Sequence, residues 1–163
     1  MNKFFYLYNL SNVQEMTISL ALILKILILT QTLSSEVVGI MDGDTIELKM
    51  VSNNTKAKTR MGKNLRIRLA HVDCPERGRP FYQNAKKFTS DKCFKKTVKV
   101  IHNNEYDRYG RLIGEIILPD GKNLNQELIK SGLAIHYKKY SSSWSYAQLE
   151  IKARVKEIGI WAN

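Results

Sequence analysis

The sequence predicts an α+β domain built on a small five-stranded β-barrel with about three α-helices, and three observations predict it. Short apolar runs alternate with a period of two, turn-forming residues punctuate them, and segments with helical spacing lie between and after them. The length of 163 residues suits one compact domain plus an appendage.

Ile46, Leu48 and Met50 alternate with Glu47 and Lys49, and Leu65, Ile67 and Leu69 alternate with Arg66 and Arg68, as half-buried strands do. The polar stretch between them, Ser52 to Asn64, reads as a hairpin loop or a short extended excursion. Val98, Val100 and Ile101 mark another strand, and Leu112 to Leu118 a further one, closed by the turn residues Pro119, Asp120 and Gly121. Pro80 introduces a helix over Phe81 to Cys93, and Asn123 or Asn125 caps a second that stops at Gly132. Tyr146, Leu149 and Ala153 share one face of a third, which ends before Gly159 so that Ile160 and Trp161 pack back onto the body. Among small barrels of this class the OB-fold is a common nucleic-acid-binding type.

Residues 1–35 differ in composition from the rest. A polar opening with Lys3 leads into Ile18–Leu29, apolar except for Ser19 and Lys25, and then into Thr30–Ser35. The run has the length of a signal-peptide core and falls short of the roughly 20 residues of a spanning helix. Residues 1–35 are therefore expected to be a signal peptide or N-terminal anchor, cut near Ser34 or Ser35, with the domain occupying 36–163. The protein is expected to be secreted or held in the cell envelope, touching membrane only through this segment if it is uncleaved. No protein partner is evident, and a monomer is expected.

Lys and Arg number 26 against 15 Asp and Glu, a net +11. Removing Lys3, Lys25 and Glu15 leaves +10, so the excess belongs to the domain. Such a surface attracts phosphate-rich polymers. Two cysteines, Cys74 and Cys93, match no zinc spacing and leave one disulfide open.

Three separated motifs carry chemistry. "DGDT" (Asp42–Thr45) presents two carboxylates on a tight Gly turn, although Asp-Gly is also an ordinary hairpin turn. "RLAHVDCPE" (Arg68–Glu76) puts an arginine on a strand and Asp73 and Glu76 at its exit. Asp44, Asp73 and a backbone carbonyl make the oxygen set that a hard cation prefers. "DRYGR" (Asp107–Arg111) turns at Gly110 into a strand. Phosphodiester hydrolysis needs an activated water, a positive environment for the non-bridging oxygens and help for the leaving oxygen. A carboxylate, two arginines and a divalent cation supply these, arginine because its planar fork holds two phosphate oxygens and stays protonated. His71 and His102 are read as strand-packing residues.

These motifs, followed in order by "GLA" and a C-terminal "GIW", resemble the staphylococcal nuclease family over about residues 37–163. The resemblance implies an OB-fold barrel with three helices and a Ca2+-dependent nuclease acting on DNA and RNA, breaking the bond to the 5′ oxygen and leaving 3′-phosphate ends. It implies that Asp44 and Asp73 bind calcium with the backbone carbonyl of Cys74, that Glu76 is the general base, and that Arg68 and Arg111 bind the phosphate and stabilise its transition state. Asp42 matches a carboxylate behind the metal, Thr45 a residue adjoining it, and Arg108 and Tyr109 a nucleotide pocket. Tyr137 and Tyr140 both lie near a further pocket tyrosine, and the loop from Arg77 to Pro80 is shorter than in the founding enzyme. The rival reading is a catalytically inactive OB-fold module that holds nucleic acid without cutting it; three acidic residues among the five principal site positions argue against it, since they repel phosphate unless a cation intervenes.

Overall fold

Alternation of branched apolar residues with charged ones curls five strands of the chain into a closed barrel. The computed structural model describes residues 17, 19, 31–49 and 64–162. The apolar run Ile18–Leu29, apart from Ser19, and the loop reading up to Lys63 lie outside the described residues. In chain order the elements are β1 (Gln31–Asp42), β2 (Thr45–Leu48), β3 (Leu65–Leu69), β4 (Val72–Asp73), α1 (Tyr82–Cys93), β5 (Thr97–Tyr106), β6 (Leu112–Ile117), α2 (Leu124–Lys130), β7 (Ile135–His136) and α3 (Trp144–Val155), with a 3-10 turn at Gly159–Trp161.

The barrel runs β1-β2-β3-β6-β5, with β3 and β6 parallel and the other described strand pairings antiparallel. Near the seam, the Val37 amide donates to the Lys96 carbonyl at 3.0 Å and the Lys95 amide to the Val37 carbonyl at 2.9 Å. Five strands with a helix inserted after the third make the expected α+β OB-fold barrel. Ile46, Leu48, Ile67, Leu69, Val98, Val100, Leu112 and Ile116 fill its interior and are wholly buried or nearly so. Each contributes about 1.5–3 kcal/mol by leaving water. β1 begins at Gln31, ahead of Glu36, where the domain was expected to start, and Ser35 donates to the Lys49 carbonyl at 2.5 Å.

The helices fix the ends of the barrel. α1 buries Ala85, Thr89 and Cys93, spaced one turn apart; Thr89 Oγ1 donates to the Gly43 carbonyl at 2.6 Å, which pins the helix to the β1–β2 turn. The two cysteines stay free and buried, with burial pushing the Cys93 thiol up to about 12. Their separation follows from the helix: Cys74 packs at Gly43 beside Ala85, and Cys93 stands two turns, about 12 Å, further along. Asn123 caps α2 by accepting from the Gln126 amide. Asn125, wholly buried, accepts from the Ile116 amide and donates to the carbonyls of Ala70 and Gly114, so its polar atoms are satisfied.

Two expectations change. His102 packs in β5, buried as expected, but His71 lies in the turn between β3 and β4 with φ 66°, a left-handed conformation the strand pattern did not suggest. Glu150 is buried on the inward face of α3, a charge that the apolar pattern skips; Lys138, Arg154 and the His136 amide hold it.

Gly132 and Gly159 explain why "GLA" and "GIW" travel together. Both have positive φ, and a Cβ on Gly132 would sit 2.1 Å from the Ile158 carbonyl oxygen. The Ile160 amide donates to the Gly132 carbonyl at 2.8 Å, tying the C-terminal turn to the end of α2. Gly132→Ala is expected to cost roughly 2–4 kcal/mol in urea denaturation, from left-handed strain plus backbone overlap, whereas Gly110→Ala, at φ 75° with open space around it, should cost about 1–2 kcal/mol. Equal losses would remove the contact from the account.

Glu115 on β6 faces the third helix. His71 is its largest pKa influence, and with Tyr146 and Asn123, which donate to its carboxylate, it outweighs the opposing effect of burial and holds the group down at about 2. A folded value below the unfolded one stabilises the protein above pH ~4.5, and that contribution fades as pH falls toward 2. Glu115→Gln should therefore lower stability by roughly 1–3 kcal/mol at pH 7, with the gap from the parent protein narrowing at pH 3. A gap independent of pH would sink the assignment.

Candidate active site

Register and turn geometry bring the predicted residues to one end of the barrel. The β1–β2 turn crosses so close to α1 and the β4 exit that a Cβ on Gly43 would lie 2.8 Å from Ala85 Cβ and 2.9 Å from Cys74 Sγ. Only glycine fits, and the next residue, Asp44, is thereby pushed against the β3–β4 segment. Its Oδ2 accepts from the Cys74 amide at 2.8 Å and forms an ion pair with Arg68 Nη1 at 3.0 Å, and its Oδ1 accepts from Thr45 Oγ1 at 3.1 Å.

Arg68 pairs with Thr45 across β2 and β3. Its guanidinium joins two carboxylates, reaching Asp73 Oδ1 from Nη2 at 2.7 Å, while Nη1 also donates to the carbonyls of Val72 at 2.9 Å and Leu69 at 3.2 Å. The side chain is 13% exposed. Arg111, at the β6 entry, donates from Nε to Asp107 Oδ2 at 2.6 Å and from Nη1 to Thr45 Oγ1 at 3.1 Å. A chain of two hydrogen bonds and an ion pair thus runs Arg111–Thr45–Asp44–Arg68, with Thr45 accepting from one arginine and donating to the carboxylate paired with the other.

The electrostatics follow from that geometry. Burial is the largest influence on Asp73 and raises its pKa; Arg68 opposes it, and the nearby charges of Asp44 and Glu76 add to the rise. Burial also pushes the Asp107 carboxyl up, but hydrogen bonds from Arg111 and Tyr109 and the Arg111 charge hold it below the usual range. Glu76 lies exposed on the turn after Pro75, where the Arg79 amide closes onto its carbonyl at 3.0 Å.

Tyr109, 68% exposed, stands under the guanidiniums of Arg108 (4.8 Å) and Arg111 (5.3 Å), with Arg108 also donating to its hydroxyl. Tyr137, one of the two tyrosines left open by the sequence, has its ring centre 5.9 Å from the Arg68 guanidinium. Asp42 accepts from the Tyr82 hydroxyl at 3.0 Å.

Among the described residues, no three His, Cys, Asp or Glu side chains converge on a single cation position. Asp44 and Asp73 are instead bridged by Arg68, and Cys74 commits its amide to Asp44. Their donor chemistry still suits a hard divalent cation: carboxylate oxygens, partly buried, with a raised Asp73 pKa caused in part by crowded negative charge. Water and phosphate oxygens would complete the six to eight ligands such a cation takes.

Three contributors were missed or only partly read in the sequence. Asp107 was seen only as part of a motif, yet it orients Arg111; its position four residues before that arginine was the available signal. Tyr82 carried no signal, because it meets Asp42 only through tertiary packing. Tyr137 could not be separated from Tyr140 without the β4–β7 pairing, which sets Val72 opposite His136.

Residues 66–163 match the family model described as staphylococcal nuclease homologue. An uncharacterized endonuclease of Haemophilus influenzae is 35% identical over 127 residues, covering 78% of this chain and 65% of its own length. An uncharacterized endonuclease of Escherichia coli O157:H7 is 32% identical over 136 residues, covering 83% of this chain and 82% of its own. A micrococcal nuclease of Shigella flexneri is 33% identical over 138 residues, covering 78% and 73%. With the barrel and the arginine–carboxylate chain already in place, these matches mean that the chain belongs to the staphylococcal nuclease homologues, a family of nuclease hydrolases.

Proposed function

We propose that the protein is a calcium-dependent nuclease that hydrolyses DNA and RNA by breaking the bond to the 5′ oxygen, leaving 3′-phosphate ends. The observation that carries this reading is the joining of Arg68 and Arg111 through Thr45 and Asp44, beside Asp73 and Glu76. Two guanidiniums with acidic groups between them suit a phosphodiester better than plain binding does, since carboxylates alone repel phosphate.

Glu76, exposed at the mouth, accepts the proton of the attacking water. Arg68 exchanges a carboxylate partner for a phosphate oxygen and keeps its bond to the Val72 carbonyl; a guanidinium with five N–H donors can do both. Arg111, held by Asp107, faces charge building on the non-bridging oxygens without having to reorganise. Calcium, held by Asp44, Asp73 and the Cys74 carbonyl, would supply Lewis-acid polarisation of the phosphate. Arg108 and Tyr109 receive the nucleotide, the exposed ring offering a stacking face to any base.

Cleavage of single-stranded and duplex DNA should require calcium, stop with a chelator and leave 3′-phosphate ends. Tight, salt-sensitive binding without cutting in calcium or magnesium would instead favour the inactive OB-fold module. Glu76→Gln should retain calcium and nucleotide binding while losing most turnover, and Arg111→Ala should slow cleavage by about 2–4 kcal/mol, as loss of one oxyanion donor does. Full activity in the first variant, or an unchanged rate in the second, would remove that residue from the mechanism.

A further inference from the structure

We propose that the outward face of α3 docks on an anionic phospholipid bilayer, with Trp144, Ile151 and Val155 seated at the headgroup boundary. The inference is independent of the nuclease reading, since it uses none of the residues assigned to hydrolysis.

α3 (Trp144–Val155) is apolar on two opposite faces. Tyr146 and Ala153 are buried on the inward one, where Leu149 also packs against the core. Trp144, Ile151 and Val155 fall within an arc of about 40° on the other side. They are 75%, 49% and 79% exposed. A single apolar side chain in water needs no explanation, but three aligned over about 17 Å of one helix form a patch. Core packing does not account for them, because the inward face already holds the helix against the body.

Charge selects the occupant. Lys152 and Arg154 flank the stripe on its two sides and Lys156 follows it, all three exposed. Neither Lys152 nor Lys156 is ion-paired among the described residues. Glu150, the acidic residue within the helix, is buried and engaged by Lys138 and Arg154. The outward side of 144–157 therefore sets three cations against Glu157.

A second copy on this face would bring the same cations against each other. The three side chains show on the order of 400 Å2, about half of what each partner of a stable protein complex buries. A bilayer needs neither that area nor a matching shape. Its anionic headgroups pair with the flanking cations, and its acyl boundary takes the apolar stripe. Tryptophan is among the side chains enriched at that boundary. No helix among the described residues is long and apolar enough to cross a membrane, and α3, 12 residues long, would lie in the plane of the surface.

The test mixes the full chain with vesicles of phosphatidylcholine alone or containing phosphatidylglycerol, and reads tryptophan emission. Residues 1–35 are expected to carry their own apolar run, so Trp144 rather than sedimentation reports on the face. Emission should shift to the blue with phosphatidylglycerol and not with phosphatidylcholine alone, and Trp144→Phe should abolish the shift, Trp161 being the other tryptophan. Ile151→Gln with Val155→Gln, which keeps helix propensity at exposed positions, should remove the shift while leaving the circular dichroism unchanged. Lys152→Gln and Lys156→Gln should each raise the lipid concentration at half-shift by about five-fold. An equal shift on both vesicle types, a shift that survives the double glutamine variant, or none on either overturns the lipid surface. A concentration-dependent dimer that Val155→Gln dissolves, with no response to lipid, gives the face to a second copy instead. Cleavage of nucleic acid bears on none of these outcomes.

Discussion

The Arg68 guanidinium, lodged between Asp44 and Asp73, is the contact on which the arrangement of the active end depends. Two carboxylates at the rim of an apolar barrel would repel one another and lose hydration; the arginine offsets the repulsion, replaces part of the lost hydration and has two carbonyl partners of its own. Asp44 is 8% exposed, so withdrawing the guanidinium would leave a nearly buried charge opposed only by an amide and a hydroxyl. A partly buried pair of this kind contributes less to net stability than its distances suggest, because desolvation offsets much of the attraction. Its service is positional: it fixes where the β1–β2 turn, β3 and β4 stand relative to one another.

The barrel provides the rigidity this requires. Gly114 on β6 lets β5 approach so closely that an added Cβ would come within 2.7 Å of Val100 Cγ1. Asn125 then ties α2 to the strand junction beneath the site. The polar groups around the centre are largely engaged with partners, whereas Glu76, Arg108 and Tyr109 are exposed.

How much of this could be read in the sequence depended on the range of the interactions. The strands were legible because period-two alternation is local: Leu65, Ile67 and Leu69 are buried, Arg66 between them is exposed and Arg68 is half-buried. Asn123 as a helix cap and Gly132 as a stop were legible for the same reason. His71 was misplaced because its alternation with Leu69 continues the strand pattern into a turn that the following β4–β7 pairing imposes. Glu150 was missed because its partners come from 12 or more residues away as well as from its own helix. Asp44, Arg68, Asp73 and Arg111, which the structure links by ion pairs and hydrogen bonds, all lie in motifs visible in the sequence. Their interconnection was not visible there, since the Arg111–Thr45 contact spans 66 residues.

The seam between Val37 and the Lys95–Lys96 segment has a consequence for the solution behaviour of the folded chain. An open sheet ends in a row of unpaired amides and carbonyls to which another copy can add a strand. In the closed barrel those groups face each other, and the separate β4–β7 ladder is only two residues long on each side. At that seam the amide and carbonyl of Val37 are spent inside the barrel, and at this point of the described strands they offer no template to a second copy.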